Sequence, residues 1–305
     1  MTNEVSYANQ ADLRIASVLM AEAHELLVNK VDLRSTVWSV PSTAGQASLA
    51  RKIPQVSFDD VMAAPGEVTA VAPTALGDAS KTVTAARQAL RYDPSDEYLI
   101  SGGPVGVEDL GKGLYYGYIR RAAALIGDIV DGFTATSSSS GNVLTVDLVM
   151  GAIIAYEQND NVDSNPTLLL SPKQFTDFQS SLRGEGGSAQ YQAATEAMQS
   201  VKPQGFKGTW RGMQIITSAS VKNDGTDDFG ALYSMKAVAL LELSVGALRA
   251  VIPSNEFMNI AQAGDVMFVE KQRDADKALT ELVGNAYMGV ALNEDELGVT
   301  IQTVD

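Results

Sequence analysis

Residues 107–133 read VEDLGKGLYYGYIRRAAALIGDIVDGF, and this stretch decides the fold. Val107, Leu110, Leu114, Tyr118, Leu125, Ile129 and Phe133 form one helical stripe. Tyr115, Ile119, Ala122, Ile126 and Val130 form a second. Glu108 and Asp109 put acids in the expected first turn, where the helix dipole favours them, and Gly132 suits a terminator. At about 1.5 Å per residue such a helix spans roughly 40 Å. Two apolar stripes predict cover on more than one side, so the helix is expected to act as a spine rather than lie on a surface. Gly111-Lys112-Gly113 within it is no phosphate loop, because the upstream glycine and the following Ser or Thr are missing. Just ahead, Ser101-Gly102-Gly103-Pro104 is expected to be a plain loop.

Upstream, residues 11–30 carry Ala11, Ile15, Val18, Leu19, Leu26 and Leu27 at amphipathic helical spacing, with His24 a surface or interface residue of that helix. Residues 40–101 are rich in Ala, Thr, Val and Pro, and Pro41, Pro54, Pro65, Pro73 and Pro94 exclude a long helix there. Residues 67–73 and 81–92 read as the strands of a long hairpin, with Gly77-Asp78-Ala79-Ser80 as the turn between them. The hairpin has too few large apolar residues for a core of its own. It is expected to lie on something else, such as a neighbouring subunit.

Downstream, the small polar run 136–142 (TSSSSGN) reads as a flexible loop and a domain boundary. An α/β pattern follows. Thr145 caps a helix running to Gln158, residues 166–170 (PTLLL) form a strand, and Ser171-Pro172-Lys173-Gln174 supplies an N-cap, a first-turn proline and a capping-box glutamine. Phe175, Phe178 and Leu182 share a face of the helix that follows. Residues 184–188 read as a glycine-rich loop and 189–200 as a helix. Strands are expected at 213–218, 230–235, 237–243, 247–253, 265–271, 277–292 and 298–304, with Gly284 and Gly289 marking bulges.

Composition narrows the chemistry. The 305 residues hold 37 acidic and 22 basic side chains, a net charge of −15, with no cysteine and one histidine. Thiolate metal sites, disulfides and a cysteine nucleophile are excluded, and multi-histidine metal sites with them. The acidic balance argues against sequence-reading contact with nucleic acid. Over residues 136–305 there are 21 acidic and 11 basic residues, so most of the acid lies beyond the spine helix. Residues 160–163 and 223–228 resemble calcium loops in composition only, since neither has the bidentate glutamate at the twelfth position. No carboxylate pair is diagnostic of acid–base chemistry. Residues 1–10 show no leader pattern, and the best apolar window, 237–251, is broken by Glu242 and Arg249. A soluble, intracellular protein without a membrane span is expected, with no cofactor and no metal. Arg120-Arg121 is the one tight basic pair of the spine helix, suited to an acidic neighbour across an interface or to solvent.

The order of these parts resembles the major capsid proteins of tailed bacteriophages, with the Hong Kong 97-type fold. The residues that carry the likeness are Pro94-Ser95-Asp96-Glu97-Tyr98-Leu99 leading toward the spine helix, Asp131-Gly132 closing it, the strand entering Ser171-Pro172, and Gly212-Met213-Gln214-Ile215-Ile216-Thr217-Ser218. The resemblance implies an α+β fold: an N-terminal arm (1–50), an extended β-hairpin or E-loop (51–101), the spine helix of a P-domain (102–135), an A-domain (136–255) and closing P-domain strands (256–305). It implies a non-enzymatic shell subunit that assembles as hexamers and pentamers into the icosahedral head around double-stranded DNA, without sequence-specific binding. A separate scaffolding protein, a portal and a decoration protein are the implied partners; for assembly, the helix at 11–30 could serve in place of a scaffold. The implied place is the virion, assembled in the host cytoplasm. Lys81, Arg87, Arg91, Arg120 and Arg121 are the expected interface residues. Family members that cross-link use a Lys of the hairpin and an Asn of the P-domain, for which Lys81 and Asn285 are the formal counterparts. The competing expectations are an encapsulin-like nanocompartment shell and an α/β enzyme with a carboxylate site.

Overall fold

Ser95 opens the longest element, its hydroxyl accepting from the Tyr98 amide with Asp96 and Glu97 in the first turn. The computed structural model describes residues 31–41, 49–56, 78–139, 141–158, 165–184, 191–195, 205–244, 257–259, 266–274 and 276–304. In chain order the strands are β1 (Trp38–Val40), β2 (Ala50–Val56), β3 (Asp78–Thr84), β4 (Ala86–Tyr92), β5 (Ala135–Ser139), β6 (Thr167–Leu170), β7 (Tyr191–Ala193), β8 (Phe206–Trp210), β9 (Met213–Thr217), β10 (Lys222–Asn223), β11 (Asp227–Tyr233), β12 (Val238–Glu242), β13 (Phe257–Asn259), β14 (Met267–Asp274), β15 (Leu279–Leu292) and β16 (Gly298–Val304). The α-helices are α1 (Asp96–Ile129), α2 (Val146–Glu157) and α3 (Pro172–Gly184).

Two sheets share the core. A six-stranded sheet runs β1-β12-β15-β14-β13, with β4 paired to β15 beside β12. An eight-stranded sheet runs β5-β16-β11-β6-β9-β8-β7, with β10 on β11. The middle of α1 packs Leu114, Tyr115, Tyr118 and Ile119 on Val269, Leu282, Ala286 and Met288 of the first sheet. Its C-terminal end, with the following Val130, places Ala123, Ile126 and Val130 against Leu169, Ile216 and Tyr233 of the second, together with Val238 and Leu240 of β12. α2 and α3 cover the other face of the second sheet, where Phe178 meets Trp210 edge-on at 5.2 Å. The two stripes thus merge into one broad buried face that reaches two sheets in turn. Tyr116, Arg120, Arg121 and Asp128 stay exposed on the far side.

Several expectations hold. Thr145 accepts from Leu148 as the N-cap of α2, and Ser171 and Gln174 bond reciprocally at 3.0 and 3.1 Å as the capping box of α3. The strands expected at 213–218, 230–235, 237–243 and 298–304 appear as β9, β11, β12 and β16 within a few residues.

Others are corrected. α1 begins eleven residues earlier than expected, so residues 101–104 are helical, and the acids of the first turn are Asp96 and Glu97. Its 34 residues span about 51 Å. The hairpin pairs β2 with β3, Ala50 opposite Thr84, so residues 78–80 lie in a strand and not in a turn. Ala85 ends that hairpin, and β4 joins the six-stranded sheet instead. Residues 135–139 form β5, parallel to β16, because pairing with a buried neighbour overrides the weak strand preference of serine. Residues 191–193 form a strand on β8 where a helix was expected. β16 joins the second sheet, so residues 256–305 do not close a single sheet. Gly284 and Gly289 keep regular register and are not bulges. They are points of close approach: a Cβ on Gly289 would lie 2.0 Å from the Thr84 carbonyl oxygen. The helix expected at 11–30 with His24, the strand at 67–73, the loop 160–163 and the strand at 247–253 lie outside the described residues.

Candidate functional site

Four of the five expected interface residues gather around β4 and α1. Antiparallel pairing of β4 with β15 sets Leu282 opposite Tyr92 and Met288 opposite Ala86. Side chains alternate along a strand. Leu90 and Tyr92 therefore turn toward α1, where they fit against Gly117 and Gly113, and Gln88 shares that face. Arg121 donates from Nε to Gln88 Oε1 at 2.9 Å. Arg120 lies over the Tyr116 ring at 5.6 Å. Arg87 and Arg91 turn to the opposite face.

These cations differ in how they are balanced. Arg91 bonds Asp93 at 2.6 Å and Glu281 at 2.7 Å, so its charge is largely offset. The hydrogen bond to Asp93 raises its pKa against a smaller lowering by desolvation. Arg87 donates from Nε to the Asn285 amide oxygen at 2.8 Å, a neutral partner. Among the described residues no carboxylate lies in salt-bridge range of Arg87, Arg120 or Arg121. Lys81 stands apart, half-buried in the middle of β3 opposite Ile53, and not near a hairpin tip.

Asn285 is 1% exposed and sits between β4 and β14. Its amide oxygen accepts from Arg87 and its nitrogen donates to the Val283 carbonyl at 3.4 Å.

The turn at 223–228 uses its acids internally. Asp224 Oδ1 accepts from the Thr226 and Asp227 amides, and Asn223 donates to Asp228. Those backbone hydrogen bonds hold the Asp224 carboxyl below its ordinary value. Ser171 donates its hydroxyl hydrogen to Asp228. Among the described residues no three His, Cys, Asp or Glu side chains are grouped to hold a metal ion.

One cluster escaped the sequence reading. Arg34 lies between Asp32, Tyr118 and Glu242, donating to Asp32 Oδ1 at 2.9 Å and to the Tyr118 hydroxyl at 2.8 Å. Tyr118 in turn donates to Glu242. Burial pulls the Arg34 pKa down, but the Asp32 hydrogen bond and the neighbouring charges outweigh it and leave it raised. The available signal was Tyr118 itself, since a tyrosine within an apolar stripe needs a partner for its hydroxyl.

No family model matches the chain, and no curated relative does. Solved structures do. The chain is similar to the holo-SrpI encapsulin of Synechococcus elongatus, with a TM-score of 0.60, 15% identity, and coverage of 90% of this chain and 87% of that one. It is similar to the capsid of Ralstonia phage GP4, with a TM-score of 0.60 and 9% identity over 89% and 87%. The mature capsid of bacteriophage PhiM1 gives a TM-score of 0.58 and 10% identity over 89% and 86%. The chain has the α+β Hong Kong 97-type fold of phage capsid proteins.

Proposed function

We propose that this chain is the major capsid protein of a tailed phage, a structural subunit that assembles with copies of itself into an icosahedral shell around double-stranded DNA. The observation that carries the reading is a fold match extending over nearly nine-tenths of both chains, to proteins solved as capsids and particles. In this reading the six-stranded sheet and α1 are the P-domain, the eight-stranded sheet with α2 and α3 is the A-domain, β2 and β3 are the E-loop, and residues 1–50 are the arm. Hexamers and pentamers form the shell. Scaffolding, portal and decoration proteins are its outside partners. The subunit acts in the virion after assembly in the host cytoplasm and performs no catalysis. Lys81, Arg87, Arg91, Arg120 and Arg121 form the basic part of its contacts. The acidic remainder leaves DNA unbound and free to move during filling, since affinity for duplex DNA comes mainly from basic side chains.

The similarity to an encapsulin supports a second reading, a protein-filled nanocompartment on the same fold. Electron microscopy of particles from a producing culture, with assay of their contents, tests both. DNA-filled shells support the phage reading, and shells holding a protein cargo support the other. Protein that remains a small oligomer overturns both and favours an enzyme.

A further inference from the structure

We propose that the free edge of β4 pairs, antiparallel and centred on Leu90, with the β4 edge of a second copy of this chain. The inference rests on the shell reading above and gives one contact of that shell its register.

Three observations carry it. First, among the described strands β4 pairs with β15 alone, so its outer edge presents unpaired backbone donors and acceptors. Ala86, Arg87, Ala89, Leu90 and Arg91 are exposed along it. Secondly, charge on the face of this strand away from α1 is lopsided within one chain. Arg91 holds two acids, Asp93 at 2.6 Å and Glu281 at 2.7 Å, while Arg87 holds the neutral Asn285 amide. Asp93 leaves 40% of its side chain exposed, enough to receive a second cation.

Thirdly, the strand complements itself in one register. Antiparallel pairing centred on Leu90 sets position 87 opposite position 93 of the second copy, 88 opposite 92, and 89 opposite 91. Arg87 of each copy then faces Asp93 of the other, so two ion pairs flank the centre, and Leu90, 36% exposed, covers its own counterpart. Shifting the centre to Ala89 sets Arg87 against Arg91, and shifting it to Arg91 sets that residue against itself, so like charges oppose in both. The two-fold axis stands normal to the sheet. It keeps α1 on the same face in both copies and joins the subunits edge to edge, which suits a closed shell. Arg87 and Asp93 have no such pairing within one chain, because six extended residues hold them about 20 Å apart.

The chain has no cysteine, so introduced cysteines report the register. Each variant is first checked for wild-type circular dichroism. In assembled particles under mild oxidation, Leu90→Cys is expected to form a disulfide-linked dimer, since the two copies of that position lie within disulfide reach. Ala89→Cys and Arg91→Cys, both at exposed positions, are expected to link to each other in a mixture far more than either links to itself, and they carry the test if Leu90→Cys misfolds. Arg87→Asp is expected to reduce assembly, read by sedimentation, and Arg87→Asp/Asp93→Arg to restore it, because the reversed charges again face each other across the axis. Particles in which neither position 90 nor the mixture links overturn the strand pair and leave the shell reading intact. Self-linkage strongest at 89 or 91 overturns the register. A double variant that assembles no better than Arg87→Asp overturns the ion pair that selects it. Wild-type protein that forms no particles overturns the shell reading, and linkage at position 90 in that soluble protein would still uphold the strand pair.

Discussion

Arg34 Nη1 donates to the Tyr118 hydroxyl at 2.8 Å, and through that bond the segment before β1 is tied to the long helix. Asp32 and Glu242 complete the cluster, all within a largely buried pocket. Removing the guanidinium leaves two acids without their counter-charge in a poorly solvated place. Arg34→Met is therefore expected to destabilise the unassembled subunit by about 3–5 kcal/mol. Tyr118→Phe removes one donor and is expected to cost about 1–2 kcal/mol. Urea denaturation of both variants checks the order, and equal losses would show that the guanidinium acts only through Tyr118.

Two helical glycines should respond to alanine with opposite signs. In a helix, alanine ordinarily gains about 1 kcal/mol over glycine. Gly151 in α2 has room, its nearest neighbour being Ser137 Oγ at 3.4 Å from a built Cβ. Gly151→Ala is expected to stabilise by up to that amount. Gly127 in α1 faces the Ser220 carbonyl, whose oxygen would lie 2.0 Å from a Cβ. Backbone cannot rotate aside as a side chain does, so Gly127→Ala is expected to destabilise by about 1–3 kcal/mol. Thermal unfolding of the pair, measured side by side, gives the two signs directly.

What could be read from the sequence follows from how local each signal is. The caps of α2 and α3 depend on side chains within three residues of the helix start, so Thr145, Ser171 and Gln174 were legible. The start of α1 was not. Gly102, Gly103 and Pro104 weigh against a helix locally, yet helical geometry continues through them from the Ser95 cap. The strand at residues 135–139 was hidden for a different reason: its serines favour sheet only because β16 runs beside them. The cationic residues were visible as residues, but their balance was not, since Arg91 is offset by Glu281 from 190 positions away while Arg121 meets the neutral Gln88 amide.

Tyr233 sets an alkaline limit. Its ring is fully buried, with the hydroxyl 2.8 Å from Thr36 Oγ1, and burial pushes its pKa up to about 12 despite that bond. An unfolded tyrosine ionises near pH 10. Between those values the unfolded chain has lost a proton that the folded chain keeps, so stability falls as pH rises. Each such tyrosine contributes a slope of about 1.4 kcal/mol per pH unit in that window, and nothing below it. Tyr118 is shifted in the same direction, chiefly by burial, and adds to the slope. Tyr233→Phe is expected to flatten the fall above pH 10 by one such increment. Denaturation midpoints from pH 8 to 12 for both proteins test this, and parallel curves would exclude the assignment.

Gln174 joins three parts of the second sheet through one buried amide. Its oxygen accepts from Ser171, while its nitrogen donates to the Asp228 carbonyl at 3.0 Å and to Thr303 Oγ1 at 2.9 Å. α3, β11 and β16 therefore depend on the amide being an amide. Gln174→Glu keeps the shape and the acceptor but removes the donor, setting a carboxylate against the Asp228 carbonyl. Gln174→Met keeps the volume and leaves those groups, and the Ser171 amide as well, unpaired without adding charge. Both lose stability, by about 2–4 kcal/mol for methionine, as expected for several buried groups left unsatisfied. The glutamate variant is expected to be the worse of the two at pH 7 and to recover toward the methionine value as pH falls, because protonation restores a donor. A pH series of unfolding free energies separates these outcomes. A glutamate variant as stable as wild type at neutral pH would mean that α3 is held by its apolar face, Phe178 and Leu182, rather than by the capping amide.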